Sequence, residues 1–349
     1  MLPGPGAIEP GAPGADLGSA LKGAGPSAHD GARIGIVERP SDAGRCFRPV
    51  YLDLLASGEL DERTRIASRH LESCDLCARG CRVNRKRSLR GTVCRTGEQA
   101  RVHGAFAHFG EETCLTGWNG SGTIFFSWCN LRCVYCQNFE LSWGGAGREV
   151  GPEDLAGLML SLQRAGCHNL NLVSPSHVVA QVLAALPIAA RGGFRLPLVY
   201  NTGGYDSAEA LVLLDKVVDI YMPDMKYADG DPARRYSKVN DYVTVNRAAL
   251  REMHRQVGDL VIDPDGIARR GLLVRHLVLP GGLSGTEDVL RFIAEEISRD
   301  TYLNLMDQYH PCFRAFEHEA LARKPTAAEL RDVCDAAHRL GLWRLDSPV

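Results

Sequence analysis

The sequence predicts an α/β protein: a partial (β/α)6 TIM-like barrel preceded by a small Cys-rich N-terminal module and a disordered N-terminal tail. Three observations carry that expectation. From Gly122 onward, short apolar runs alternate with amphipathic helical patterns, as in a parallel sheet built from βα units. Between Cys46 and Cys114 cysteine and arginine are concentrated and periodicity is weak, the composition of a small module that metal helps to organise. Met1 to Pro40 holds nine Gly and six Pro with scarcely an aromatic residue, too little apolar surface to offset chain entropy. The expected boundaries are 1–44 for the tail, 45–116 for the module and 117–349 for the barrel.

Composition narrows the function classes. Of 349 residues, 45% are hydrophobic and 23% charged, as in ordinary globular chains. Lys plus Arg (40) nearly cancels Asp plus Glu (42), leaving a formal charge of -2, so no strong field draws the chain to nucleic acid or anionic lipid. No run of 18 apolar residues and no basic-then-apolar leader is present, so a cytoplasmic protein without a membrane partner is expected. In that reducing compartment the 12 Cys are read as metal ligands ahead of disulfides.

The elements follow in order. A short helix is expected over Asp61–Ser73. Thr123–Ser127 reads as the first barrel strand. Pro152 opens a helix whose Leu155, Leu158, Met159 and Leu162 share one face. Then come strand 169–173, helix 176–190, strand 196–202, helix 207–214, strand 217–225, helix 248–257, strand 272–279, helix 286–298 and strand 302–306. Six strands are too few to close an eight-stranded barrel, so an open one is expected, with its chemistry at the C-terminal strand ends. Thr326-Ala327-Ala328-Glu329 is a capping box for the last helix, and residues 343–346 read as an edge strand.

The first strand runs into Cys129-Asn130-Leu131-Arg132-Cys133-Val134-Tyr135-Cys136, a C-x3-C-x2-C loop. Three thiolates so spaced can each take one iron of a [4Fe-4S] cube and leave the fourth iron open, unlike a four-cysteine structural site. A chance grouping, or zinc completed by a distant ligand, is the plainer alternative. Further along, Asp224 and Lys226 alternate on one face of an apolar strand, costly for charges unless they are paired or occupied by a ligand.

This C-x3-C-x-Tyr-C loop resembles the cluster loop of the radical S-adenosylmethionine (AdoMet) superfamily. In order along the chain the strand ends resemble the activating enzyme of pyruvate formate-lyase, and more closely its homologues with an N-terminal cysteine module, over roughly Ala67 to Cys312. The resemblance implies two cofactors, a [4Fe-4S] cluster on Cys129, Cys133 and Cys136 and AdoMet on its open iron. One-electron cleavage of the sulfonium would then give methionine and a 5'-deoxyadenosyl radical, so that a radical-based oxidoreductase is implied. It further implies an electron donor such as flavodoxin, ferredoxin or their reductase, and a hydrogen-donating substrate that could be a peptide or the glycine of a partner enzyme.

By the same resemblance Tyr135 lies near the adenine, with loop packing as its alternative. Ser174-Pro175-Ser176-His177 stands where that family has Ser-Gly-Gly-Glu, so Ser174 and Ser176 fall near the AdoMet amino group, and Asn201 stands where it has an acid. Asp224 and Lys226 match residues at the methionine and ribose region. Arg275, ahead of Pro280-Gly281-Gly282, matches an arginine near the ribose or the carboxylate, and His310 a histidine at the nucleoside end.

Cys74-x2-Cys77-x3-Cys81-x12-Cys94 is a second set, interleaved with Arg79, Arg82, Arg85, Lys86, Arg87 and Arg90. Four thiolates close a tetrahedral site, and structural zinc and a second iron-sulfur cluster fit equally. Cys46, Cys114, Cys167 and Cys334 read as buried small hydrophobes. Cys312, beside His310, is singled out at the expected mouth. A different class of function remains open at this point, a non-catalytic metal scaffold in which both sets are structural.

Overall fold

The computed structural model describes residues 47–346, and the expected tail over 1–44 lies outside them. Helices α1 (Tyr51–Ser57) and α2 (Glu59–His70) are separated by Gly58, whose left-handed φ of 79° ends the first helix and starts the second. Expected as one helix over 61–73, this segment is two helices broken at Gly58, the second continued by a 3-10 turn over Leu71–Ser73. After an irregular stretch come strands β1 (Ala100–His108), β2 (Ser121–Phe126) and β3 (Arg148–Val150), then helix α3 (Pro152–Arg164). The βα alternation follows: β4 (Leu170–Val173), α4 (Val179–Arg191), β5 (Leu198–Thr202), α5 (Ala208–Leu214), β6 (Ile220–Pro223), α6 (Tyr242–Val257). It ends with β7 (Val261–Ile262), β8 (Ala268–Leu277), α7 (Thr286–Phe292), β9 (Tyr302–Met306) and α8 (Ala327–Arg339).

β2, β4, β5, β6, β8 and β9 are hydrogen-bonded in that order, every pair parallel. This is the expected α/β architecture, a six-stranded partial barrel of TIM type. β4, β5 and β6 are buried almost throughout. Burial on both faces is why they read as mainly apolar runs. The helices cover the outside: α3 buries Leu155, Met159 and Leu162 of the stripe read from the sequence and leaves Leu158 half-buried, and α8 carries the expected capping box, Thr326 Oγ1 accepting from Glu329 N at 3.2 Å.

β1 escaped the sequence reading. It pairs antiparallel with β2 and carries β3 on its other side. Its run Ala-Arg-Val-His-Gly-Ala-Phe-Ala-His is half-buried and broken by a register shift at His103, so neither an apolar run nor a clean alternation marks it. At the other end of the sheet, residues 343–346 supply an isolated bridge, Leu303 to Leu345, where a full edge strand was expected. The turn after β1 spans the open side of the barrel: Glu112 Oε1 accepts from Arg275 Nε on β8 (2.7 Å) and from Asn304 Nδ2 on β9 (2.7 Å).

Candidate active site

The C-terminal ends of the six parallel strands surround a cavity of about 410 Å³. Cys129, Cys133 and Cys136 line it, with Tyr135, Ser174, Asn201, Asp224, Lys226 and Arg275. Ser176 and His310 are not brought there. Ser176 is fully buried behind the wall, its hydroxyl 2.8 Å from Thr202 Oγ1 in a network that ends on Asp206. His310 is exposed and meets Gln137 Nε2 at 3.4 Å, outside the lining.

The cysteine loop has little regular structure of its own and is pinned from all sides. Trp128 N donates to Leu141 O (2.9 Å), Arg132 N to Ser237 O (3.1 Å), Val134 N to Tyr236 O (2.8 Å) and Arg314 N to Val134 O (3.0 Å). Side chains add to this: Trp143 Nε1 donates to Cys133 O (3.1 Å), Arg79 Nε to Asn130 O (2.7 Å) and the Cys312 thiol to Tyr135 O (3.4 Å). His177 holds the start of the loop, Nε2 donating to Ser127 O at 3.0 Å. That bond, with the left-handed φ of 59° at Ser174, occupies the corner where a helix was expected from Ser176, so α4 begins only at Val179.

Each sulfur has a polar partner. Leu131 N donates to Cys129 Sγ (3.4 Å), Ser237 Oγ lies 3.0 Å from Cys133 Sγ and Ser142 Oγ 3.1 Å from Cys136 Sγ. A chain of hydroxyls extends from Ser237 to Tyr227 (2.8 Å) and on to Tyr135 (2.6 Å). Burial, and then the neighbouring Cys133 thiol, push Cys129 up to about 12, while Cys133 and Cys136 are raised mainly by burial. Among the described residues no three His, Cys, Asp or Glu are grouped so that they could hold a metal ion as they stand. A single ion needs every ligand about 2.0–2.3 Å from one point. An iron-sulfur cube asks less convergence, because each thiolate takes a different iron, and a thiol-only donor set with an N–H or O–H beside each sulfur suits it.

Opposite the thiols stand Lys226 and Asp224 as an ion pair, both mostly buried. Burial alone would lower the ammonium, but Asp224 and Cys133 hold it charged and well above its usual range. Gly204, at φ 72°, lets the backbone pass here: a Cβ would stand 2.2 Å from Asp224 O. Arg275 is committed within the protein, its Nη2 3.0 Å from Glu111 Oε2 and its Nη1 3.4 Å from Asn201 Oδ1, besides the bond to Glu112. Burial raises the Glu111 carboxyl despite that arginine. Glu111, Glu112, His108 and Ser237 were missed by sequence reasoning. The one available signal was the need of a buried Arg275 for carboxylate partners.

The fold and site define an open α/β barrel with a thiol-bearing cavity at its active-site end. No known protein-family pattern matches the chain. The uncharacterized protein MJ0674 of Methanocaldococcus jannaschii is 29% identical over 301 residues, spanning 83% of this chain and 82% of that protein. A solved structure of TYW1 with a lysine-pyruvate adduct bound is similar over 62% of this chain and 73% of that one, at 12% identity and a TM-score of 0.40. Among the described residues no helix is long and apolar enough to cross a membrane.

Proposed function

We propose that this chain is a radical AdoMet enzyme whose catalytic [4Fe-4S] cluster is held by Cys129, Cys133 and Cys136. One observation carries the reading: three thiols from one pinned loop face a cavity lined by no fourth cysteine among the described residues, and its wall presents a buried ammonium–carboxylate pair. When bound, the cluster and AdoMet would supply one-electron cleavage of the sulfonium, giving methionine and a 5'-deoxyadenosyl radical. The chain's own part is to bind, orient and keep dry.

Lys226 and Asp224 offer one cation and one anion to the zwitterionic methionine end, exchanging their mutual pairing for ligand. Ser174 and Asn201 offer hydroxyl, amide and backbone groups at the adjoining strand ends. Tyr135, anchored on Tyr227, gives the nucleoside an aromatic surface, and Leu131, Phe126, Leu277 and Met306 supply an apolar lining that excludes water. Arg275, neutralised by Glu111 and Glu112, positions Asn201 through its Nη1 and leaves ligand binding to Lys226. The hydrogen donor in this reading is an external substrate, a peptide or a glycine of a partner enzyme among its candidates.

The test is anaerobic reconstitution followed by dithionite and AdoMet. Iron and sulfide near four per chain or more, with 5'-deoxyadenosine formed, are expected. Zinc alone and no nucleoside product would leave the metal scaffold standing instead.

A further inference from the structure

Arg85 is a buried cation. Its Nε donates to Thr96 O (2.7 Å), its Nη2 to Gly97 O (3.2 Å) and its Nη1 to Cys74 Sγ (3.5 Å). Among the described residues no carboxylate pairs with it. A guanidinium cannot shed its charge, and carbonyls satisfy its N–H groups without neutralising it. Among the described residues, the groups placed to supply an anion are thiols. Cys74, Cys77 and Cys94 are buried around it, and their fields act on it. Cys81 completes the set, its Sγ beside Cys74 O and its field coupled to Cys74 and Cys94.

The backbone here is organised around those positions and not by helix or sheet. Cys74 N bonds Val83 O (3.0 Å), Arg82 N bonds Cys74 O (2.9 Å) and Gly80 N bonds Cys77 O (3.0 Å). Arg82 takes a left-handed φ of 53°, strained for a non-glycine residue. A second guanidinium has the same shortage. Arg132 donates to Ser142 O (2.8 Å) and Val93 O and lies against Trp128 and Trp143, again with no carboxylate among the described residues, and it feels both Cys94 and Cys129.

We propose that Cys74, Cys77, Cys81 and Cys94 bind a second metal centre as four thiolates, with Arg85 as its buried counter-cation and Arg132 as a cation shared with the cysteine trio. A divalent ion or a [4Fe-4S] cube held by four thiolates is doubly negative, the sign and size of charge that two guanidiniums offset. Both metals share this thiolate chemistry. A single ion would have to draw the sulfurs together, whereas a cube accepts a wider spread. Taking up zinc, or a [4Fe-4S] cube already assembled, releases the thiol protons to solvent and changes no oxidation state.

The test uses the full chain with Cys129→Ser, Cys133→Ser and Cys136→Ser combined, purified anaerobically, so that any tightly held metal reports on the second set alone. About one zinc, or about four irons with matching sulfide, is expected per chain, with four thiols that react only after denaturation with chelator. Adding Cys77→Ser should empty the site, and Arg85→Leu should speed metal loss to chelator at least about tenfold while Arg85→Lys restores retention. A folded triple variant without zinc or iron, whose thiols all react on denaturation without chelator, overturns the proposal even where a Cys77 variant cannot be made. AdoMet cleavage by the unmutated chain is a separate readout, so failure here and failure of the radical AdoMet reading are told apart.

Discussion

The two cysteine sets solve opposite problems. The trio stands at the barrel mouth, on a cavity of about 410 Å³, facing charges that already neutralise each other in the Asp224–Lys226 pair. The set of four lines no part of that cavity, and its nearest charge, Arg85, has no carboxylate among the described residues. A wall that is neutral when empty can admit a zwitterionic ligand and release it. A cation walled in by thiols is stable only when those thiols carry charge, so the second set behaves as part of the folded structure.

The largest expected effect comes from removing one thiol of each set. Cys133→Ala should abolish AdoMet cleavage in a chain that still folds, because the Cys133 side chain faces the cavity and the backbone bonds of its loop survive the change. Cys77→Ala should instead lower folded yield, while the protein that survives still takes up the catalytic cluster. Folded yield by circular dichroism and nucleoside product by chromatography separate the two. Equal loss of the catalytic cluster in both would erase the division between open and closed sites.

Next in size is the charged pair that marks the open site. Asp224→Asn leaves Lys226 buried beside Tyr242 with its partner gone, a loss of about 3 kcal/mol in stability for a broken buried pair. AdoMet affinity should fall about 10- to 100-fold in both Asp224→Asn and Lys226→Met. Calorimetric titration with AdoMet checks this. Unchanged affinity in both variants would mean that the pair is only a structural link within the segment that follows β6.

A smaller effect is expected at the sulfur itself. If Cys133 binds as thiolate, Ser237 must donate to it, Tyr227 to Ser237 and Tyr135 to Tyr227, since each hydroxyl has one proton. Such a donor stabilises the more negative, reduced state. Ser237→Ala should make the midpoint potential of the trio's cluster more negative by about 50 mV, from about 1 kcal/mol for the lost bond and 59 mV per tenfold for one electron. A potentiometric titration followed by electron paramagnetic resonance reads it, and an unshifted midpoint refutes the donor chain.

The sequence carried the parts that depend on local pattern. Buried parallel strands are mostly apolar, so β4, β5 and β9 were legible, and the stripe on α3 fixed its inward face. β1 was illegible because it is half-buried and bulged, and with it went Glu111 and Glu112, whose role exists only once β8 and β9 come within reach. Cys129, Cys133, Cys136, Asp224 and Lys226 could be gathered in advance because strand ends in a parallel barrel converge. Ser176 and His310 could not be placed that way: a strand end says where the backbone points, while Ser176 turned to Thr202 and His310 to solvent one residue position at a time.

A last effect, visible only in acid, ties the two regions together through His177. Burial first, and then the positive field of Arg85, lower its imidazole to about 3, with Arg132 adding to this and the backbone at Ser127 and Ser174 opposing it. Folded protein therefore keeps His177 neutral where an unfolded chain, titrating near 6.5, takes up a proton. Stability contributed by this residue is present above about pH 6.5 and is lost as pH falls toward 3, reaching about 2 kcal/mol at pH 5. His276, buried and lowered to about 4, has the same sign and stays in both proteins of the comparison. His177→Gln keeps a donor for Ser127 O but cannot titrate, so its melting temperature should fall between pH 7 and pH 5 by about 2–4 °C less than that of the unmutated chain. Because Arg85 contributes to the depression, Arg85→Leu should also blunt the acid sensitivity, whereas Arg85→Lys should keep it. Identical pH slopes in all four proteins would show that the cation of the closed site does not reach the anchor of the open one.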